Sequence, residues 1–354
     1  MDDIGYKKKL QKDLYVLKDQ IKQCTSEKKY IKLCTIVSQL IDVIIDTNID
    51  IDIPQELEYE MLKKNTYRTT KKGIDYRINS FYDEYDLNKR MCKIYNKISD
   101  YYTPWGNEKR YISNYDSYKL ANDFFKEYDK NIYDYFNKII NNGNITFSST
   151  LQDEDYDGYT TCGLGNITSY INIKENNNLN DVISLVHETI HSFVSTKNNN
   201  DLMDNNLNMT KFIEVYPSFI EIICADYLNK IPSLQKDSNS IQRAYDKLII
   251  ESLLLLKNLL YEFNISEDKN KFILYNYDCY ENLYRYLYGK IIAYKFYEQY
   301  KCNPEATKNN IMNFSVDSLK GTNSNILNAY GLTENSITSA KSLKKVLKKH
   351  YDEM

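Results

Sequence analysis

Asp181-Val-Ile-Ser-Leu-Val-His-Glu-Thr-Ile-His-Ser-Phe-Val194 is the stretch on which the reading of this chain turns. Val182, Leu185, Val186, Ile190 and Phe193 recur at three- and four-residue spacing, which predicts an α-helix with one buried face. Asn180 or Asp181 stands where such a helix would be capped. On this helix His187 and His191 lie one turn apart on the same side, so both imidazoles can address one ion, as tetrahedral zinc requires. Glu188 adjoins the first of them. A carboxylate so placed can take a proton from a water whose pKa the metal lowers, and later hand it to a leaving amine. Only three histidines occur in the chain. Two of them falling at this spacing, with Glu beside the first, has a chance probability of roughly 0.1% by composition.

A third ligand is expected downstream, on the stretch Lys211-Phe-Ile-Glu214-Val-Tyr-Pro-Ser-Phe-Ile-Glu221-Ile-Ile-Cys-Ala-Asp226. A carboxylate buried among apolar residues needs a partner, and zinc is one. Glu214 is far enough past His191 for a helix end, a loop over residues 198–208 and a return. Glu221, two turns on and on the same face, can orient a metal-ligating histidine through its second ring nitrogen. The reading is one Zn2+ per chain.

Working outward, the 10 glycines and 5 prolines leave long segments with helical periodicity. Helices are predicted near 4–24, 26–46, 75–99, 115–141, 180–197, 210–229, 236–263, 268–300 and 335–350. The exception is residues 144–173, where Asn144-Ile-Thr-Phe-Ser148, Gly158-Tyr-Thr-Thr-Cys-Gly163 and Thr168-Ser-Tyr-Ile-Asn-Ile173 alternate or carry β-branched residues, so a small sheet is expected there. Gly163-Leu-Gly165 lacks the third glycine, the lysine and the helix of a phosphate loop and reads as a turn.

With these residues in hand, the chain resembles the thimet oligopeptidase and oligoendopeptidase F family of zinc metallopeptidases. Ser169-Tyr170-Ile171-Asn172-Ile173 looks like the family's edge strand before the zinc helix. His187 to His191 matches its zinc motif, and Glu214 to Glu221 its E-x6-E helix. Tyr284-Arg-Tyr-Leu-Tyr288-Gly289 is similar to its Y-x-Y-x-x-G segment, and Asp100-Tyr-Tyr-Thr-Pro104 to the run leading into the catalytic domain. The resemblance implies a mainly α, helical zincin-type metallopeptidase with a small β-sheet beside the active-site helix. It implies an N-terminal helical region over 1–95 and a catalytic domain over 96–354. It also implies a substrate peptide bound along Ser169, Tyr170 and Ile171 and near Tyr288, with Tyr284 the first candidate to reach the tetrahedral intermediate. Two positions depart from the family: Ile190 stands where it has Gly, and Pro217 interrupts the helix of Glu214. A bulky residue at the first position also suits clostridial neurotoxin light chains, another H-E-x-x-H clan with a downstream glutamate ligand. The expected activity is zinc-dependent hydrolysis of oligopeptides. The alternatives are a protease dedicated to one protein, which the shortness of the chain beside the family favours, and a catalytically retired zinc-binding homologue.

Composition excludes other classes. Lys and Arg total 46 against 49 Asp and Glu, a net charge of -3 without single-sign blocks, so no basic stripe suits nucleic acid. Seven scattered cysteines form no C-x-x-C pair, the start is charged from its second residue, and no apolar run is long enough for a bilayer. A cytoplasmic location, with no membrane partner, is the expectation. The 35 tyrosines accompany an excess of Asn, Ile and Lys, all with A/T-rich codons, and single tyrosines carry no functional weight on that account.

Overall fold

The computed structural model describes residues 3–25, 27–46, 71–101, 110–148, 157–161, 169–197, 212–318 and 323–339, with a few isolated positions besides. The loop over 198–208, the Gly163-Leu-Gly165 turn and the Thr103-Pro104 end of the upstream match lie outside them. The chain divides into two compact units: Met1–Thr69 with Lys109–Asp204, and Thr70–Glu108 with Asn205–Met354.

The first unit begins with helices α1 (Asp3–Lys22) and α2 (Glu27–Asp46). Tyr6, Leu10, Leu14 and Leu17 form the buried stripe of α1, packed with Leu33, Ile36, Val37, Leu40 and Ile41 of α2. Each such side chain contributes about 1.5–3 kcal/mol on burial, enough to order two helices of this length against each other. The third helix, α3 (Lys71–Ile98), belongs to the second unit.

The first unit resumes with α4 (Asn114–Tyr128) and α5 (Lys130–Asn141). The sequence predicts one helix here, over 115–141. The structure breaks it at Asp129, whose extended backbone (φ -156°, ψ 124°) ends α4 while its carboxylate accepts from the N–H groups of Asn131 and Ile132 and caps α5. The apolar period runs through the break, and the cap outcompetes it.

Three short strands follow: β1 (Ile145–Ser148), β2 (Gly158–Thr160) and β3 (Ile171–Lys174), in the order β1-β3-β2. β3 pairs parallel with β1, Ile171 opposite Ile145, and antiparallel with β2, Tyr159 opposite Asn172. The strand read as an edge strand is therefore the central one. It is buried on both faces, as a central strand should be: Ile171 and Ile173 are fully covered, and so are Tyr170 and Asn172. The Tyr6 hydroxyl donates to Asn172 Oδ1 (2.8 Å) and the Tyr170 hydroxyl to Asp13 Oδ2 (2.6 Å), which fastens α1 to this sheet. Helix α6 (Leu179–Lys197) packs against β2 and β3.

The second unit contains α3, α7 (Val215–Asn229), α8 (Gln235–Ile265), α9 (Lys269–Cys302), α10 (Pro304–Asp317), α11 (Asn323–Ala329) and the short α12 (Glu334–Ile337). α9 packs on α3, α7, α8 and α10. Its inward tyrosines spend their hydroxyls on neighbouring helices: Tyr280 donates to Glu84 (2.9 Å), Tyr294 to Asp246 (2.6 Å) and Tyr297 to Asp226. Large apolar rings thus enter a helical core whose polar tips are satisfied by carboxylates. The mainly α reading with one small sheet holds. Two helices it omitted are α10 and α11; α10 opens with Asn303 capping the N–H of Ala306 and Pro304 in the first turn, a start signal visible in the sequence. No helix among the described residues is long and apolar enough to cross a membrane.

Candidate active site

α6 starts in a web of short-range bonds. The Asp181 carboxylate accepts from the backbone N–H groups of Asn176 (3.1 Å) and Asn177 (2.8 Å), and the Asn178 side chain accepts from the N–H of Asn180 (2.9 Å). The last of these satisfies a donor the helix start leaves open, and the first two pin the turn that leads into it. Burial pushes the Asp181 carboxyl up to about 6, against the Asn176 and Asn177 N–H groups that lower it. An unfolded Asp titrates near about 3.9, so the folded chain holds this proton more tightly. The stability it contributes is complete below about pH 4 and is lost as pH rises to about 6. Melting curves of wild type and Asp181→Asn should therefore shift relative to one another across that window, in favour of the variant, by up to about 2 kcal/mol after allowance for solvent screening. A constant difference from pH 4 to 7 would refute this.

Six residues further on, the histidines meet as the spacing requires. His187 Nε2 and His191 Nε2 lie 3.1 Å apart, with ring centroids 4.8 Å apart and planes inclined at 68°. Both rings are half-buried, whereas Glu188 is buried, with 7% of its surface exposed. β2 lies directly against Glu188: the Thr160 hydroxyl donates to the Glu188 carbonyl (2.9 Å), and a Cβ added to Gly158 would stand 3.3 Å from Glu188 Cγ. The same Cβ would meet Asn172 O and Ile173 Cδ1 at 3.0 Å, so glycine is what lets β2 approach both the sheet and the helix. The other side of α6 is anchored by Ser192, whose hydroxyl meets the Tyr135 hydroxyl at 2.5 Å, and by Ile190, which is fully buried. The branched residue at the family's glycine position is a core side chain.

Ser169, Tyr170 and Ile171 offer no pairing edge. The Tyr170 N–H and C=O both bond Thr161, at 2.8 and 2.9 Å, and the Ile171 N–H donates to Asn144 O at 2.9 Å. The Ser169 hydroxyl meets Ser195 Oγ at 3.3 Å, and its carbonyl accepts from the Asn144 side chain. Among the described residues the strand at the end of the sheet on this side is β2, a stretch the sequence marked as strand without showing its end position. Its signal was a glycine inside an alternating segment.

In the second unit, Glu214 sits at the N-cap position of α7, is 5% exposed, and makes no side-chain capping bond. Pro217 lies in the first turn, where a missing N–H costs nothing, so it starts this helix rather than interrupting it, and the predicted start at 210 moves to Val215. Gly289 of α9 is pressed against Glu214: a Cβ there would fall 2.5 Å from Glu214 Cβ and 3.0 Å from its carbonyl carbon. Glu221 forms an ion pair with Lys290 (3.6 Å), whose ammonium lies 3.8 Å from the centre of the Tyr245 ring. Tyr284 and Tyr288 stack with centroids 4.0 Å apart; Tyr284 is 3% exposed and Tyr288 fully buried. Tyr284 also lines a small polar cavity with Tyr76, Glu84, Tyr280 and Arg285. Each unit thus supplies potential metal donors, His187 and His191 in the first and Glu214 in the second, and the chemistry of two imidazoles and one carboxylate suits a zinc ion.

No protein-family model matches the sequence, and no curated protein sequence matches it. Solved structures do. A Chlamydophila abortus protein assigned as a peptidase aligns over 92% of this chain and 62% of its own, with 14% identity and a TM-score of 0.51. A protein assigned as oligoendopeptidase F aligns over 92% of this chain and 66% of its own, with 12% identity and a TM-score of 0.50. The chain therefore spans less than two thirds of the length of the structures it matches. At this identity the likeness is one of fold, and in fold this chain resembles the helical oligoendopeptidase-type peptidases, as its motifs suggested.

Proposed function

We propose that the chain is a zinc-dependent peptide hydrolase whose metal is held by His187, His191 and Glu214. The observation that carries this reading is the histidine pair. Two nitrogens at 2.0–2.1 Å from one tetrahedral ion stand about 3.3 Å apart. The two Nε2 atoms are 3.1 Å apart on consecutive turns, with a buried glutamate beside the first. The likeness in fold to peptidases supports a peptide as the substrate.

When bound, zinc supplies Lewis-acid polarisation of a carbonyl and activates water. Glu188 takes the proton from the attacking water and delivers it to the leaving amine. The outer side of β2 adds the substrate backbone as a further strand, which gives affinity without strict side-chain specificity and brings the chain past Glu188. Tyr284 donates to the developing oxyanion, with its ring held by the stack on Tyr288. Catalysis in this scheme needs a buried carboxylate with room to move a proton, and the glycine at 158 provides that room.

The test is a quenched-fluorescence peptide library presented to zinc-loaded and to metal-stripped protein. Turnover confined to the zinc-loaded form is the expected result and yields a first specificity map. Silence on every peptide with zinc bound removes the oligopeptide reading in favour of a single protein substrate or a retired site.

A further inference from the structure

We infer that Gly289 and Lys290, adjacent residues in the middle of α9, are positioning residues for the two glutamates of α7, Gly289 for Glu214 and Lys290 for Glu221. The inference rests on the metal reading above and extends it to groups that are not ligands themselves. Glycine inside a helix costs about 1 kcal/mol relative to alanine, so its use in the middle of a 34-residue helix calls for a packing reason. Here the reason is metric. A Cβ at 289 would fall 2.5 Å from Glu214 Cβ, 3.0 Å from its carbonyl carbon and 3.1 Å from its carbonyl oxygen. Two of these three atoms are backbone, so no side-chain rotation relieves the clash, and the start of α7 has to move. Glu214 is the residue that moves with it.

The next residue acts on the other carboxylate. Lys290 Nζ stands 3.6 Å from Glu221 Oε2, both side chains are largely covered, and the Tyr245 ring closes over the ammonium at 3.8 Å. A covered carboxylate is held in one orientation by such a partner, whereas a flexible exposed pair is not. Glu214 and Glu221 are seven residues apart, two turns of one helix, and α9 meets them with one residue that removes bulk and one that adds charge.

The experiment measures zinc dissociation constants by competition with a chromophoric chelator, alongside circular dichroism, for wild type, Gly289→Ala, Lys290→Gln, Lys290→Arg, Glu214→Ala and the double variant Gly289→Ala/Glu214→Ala. Displacing or misorienting a metal-binding carboxylate typically weakens affinity about 10–100-fold, and Gly289→Ala is expected in that range. Lys290→Gln should lose about tenfold, and Lys290→Arg should recover most of it, because the charge and the stacking on Tyr245 are kept. In the Glu214→Ala background Gly289→Ala should cost little more, since the ligand it displaces is already gone. Wild-type affinity in both Gly289→Ala and Lys290→Gln, or full additivity with Glu214→Ala, overturns the inference. If Gly289→Ala does not fold, the two Lys290 variants decide. A wild type that takes up no zinc overturns the metal reading itself, and that result is distinct from a zinc-binding wild type with indifferent variants.

Discussion

Glu188→Gln is expected to lower peptide turnover by about 10²–10⁴-fold, the usual yield of a positioned general base, while zinc affinity stays at the wild-type level. The separation of the two effects follows from the geometry. Glu188 Cγ lies beside Gly158 and the Glu188 carbonyl is bonded by Thr160, so an amide of the same shape keeps both contacts and the helix keeps its course. What the amide cannot do is accept the proton of the attacking water. The histidines, one residue before and three after, keep their 3.1 Å approach. The measurement is kcat against the best library peptide beside a zinc titration. A variant that retains kcat sinks Glu188 as the base, and one that loses zinc makes it a structural residue.

His191→Ala is expected to weaken zinc binding by more than about 100-fold, because loss of a direct ligand exceeds the 10–100-fold typical of groups one step removed. The metal-free fold should be almost untouched. Alanine is the best helix former, and His191 is half-buried rather than part of the core, unlike its neighbours Ile190 and Ser192. Chelator treatment of the wild type should therefore mimic the variant, with one difference: added zinc restores turnover in the stripped wild type and does nothing for His191→Ala. Zinc-restored activity in the variant would remove His191 from the ligand set.

The parts of this chain that were legible beforehand are those written in local spacing. The i, i+4 histidines, the apolar stripe of α6 and the three β-branched stretches all lie where the sequence put them, because period and cap chemistry act over a few residues. What failed was non-local. That Ser169 to Ile173 forms a central strand depends on β1 and β2 both choosing it, and alternation along a strand carries no record of its neighbours. The break at Asp129 was local but outvoted, since the apolar period ran unbroken past a residue whose carboxylate prefers to cap. Gly289 was visible as the end of the Tyr284-to-Gly289 segment, but its packing against Glu214, on another helix, was not.

The two phenol bonds that fasten α1 to β3 join residues 166 and 157 positions apart. A ribosome adding about 5–20 residues per second needs roughly 8–30 s to cover such a gap. For that interval Tyr6 and Asp13 have neither Asn172 nor Tyr170 to bond, and the segment Thr70–Glu108, which belongs to the other unit, emerges in between. Helix α1 thus waits, already made, until the strand beside the histidine helix has followed it, and only then can its two phenol bonds close.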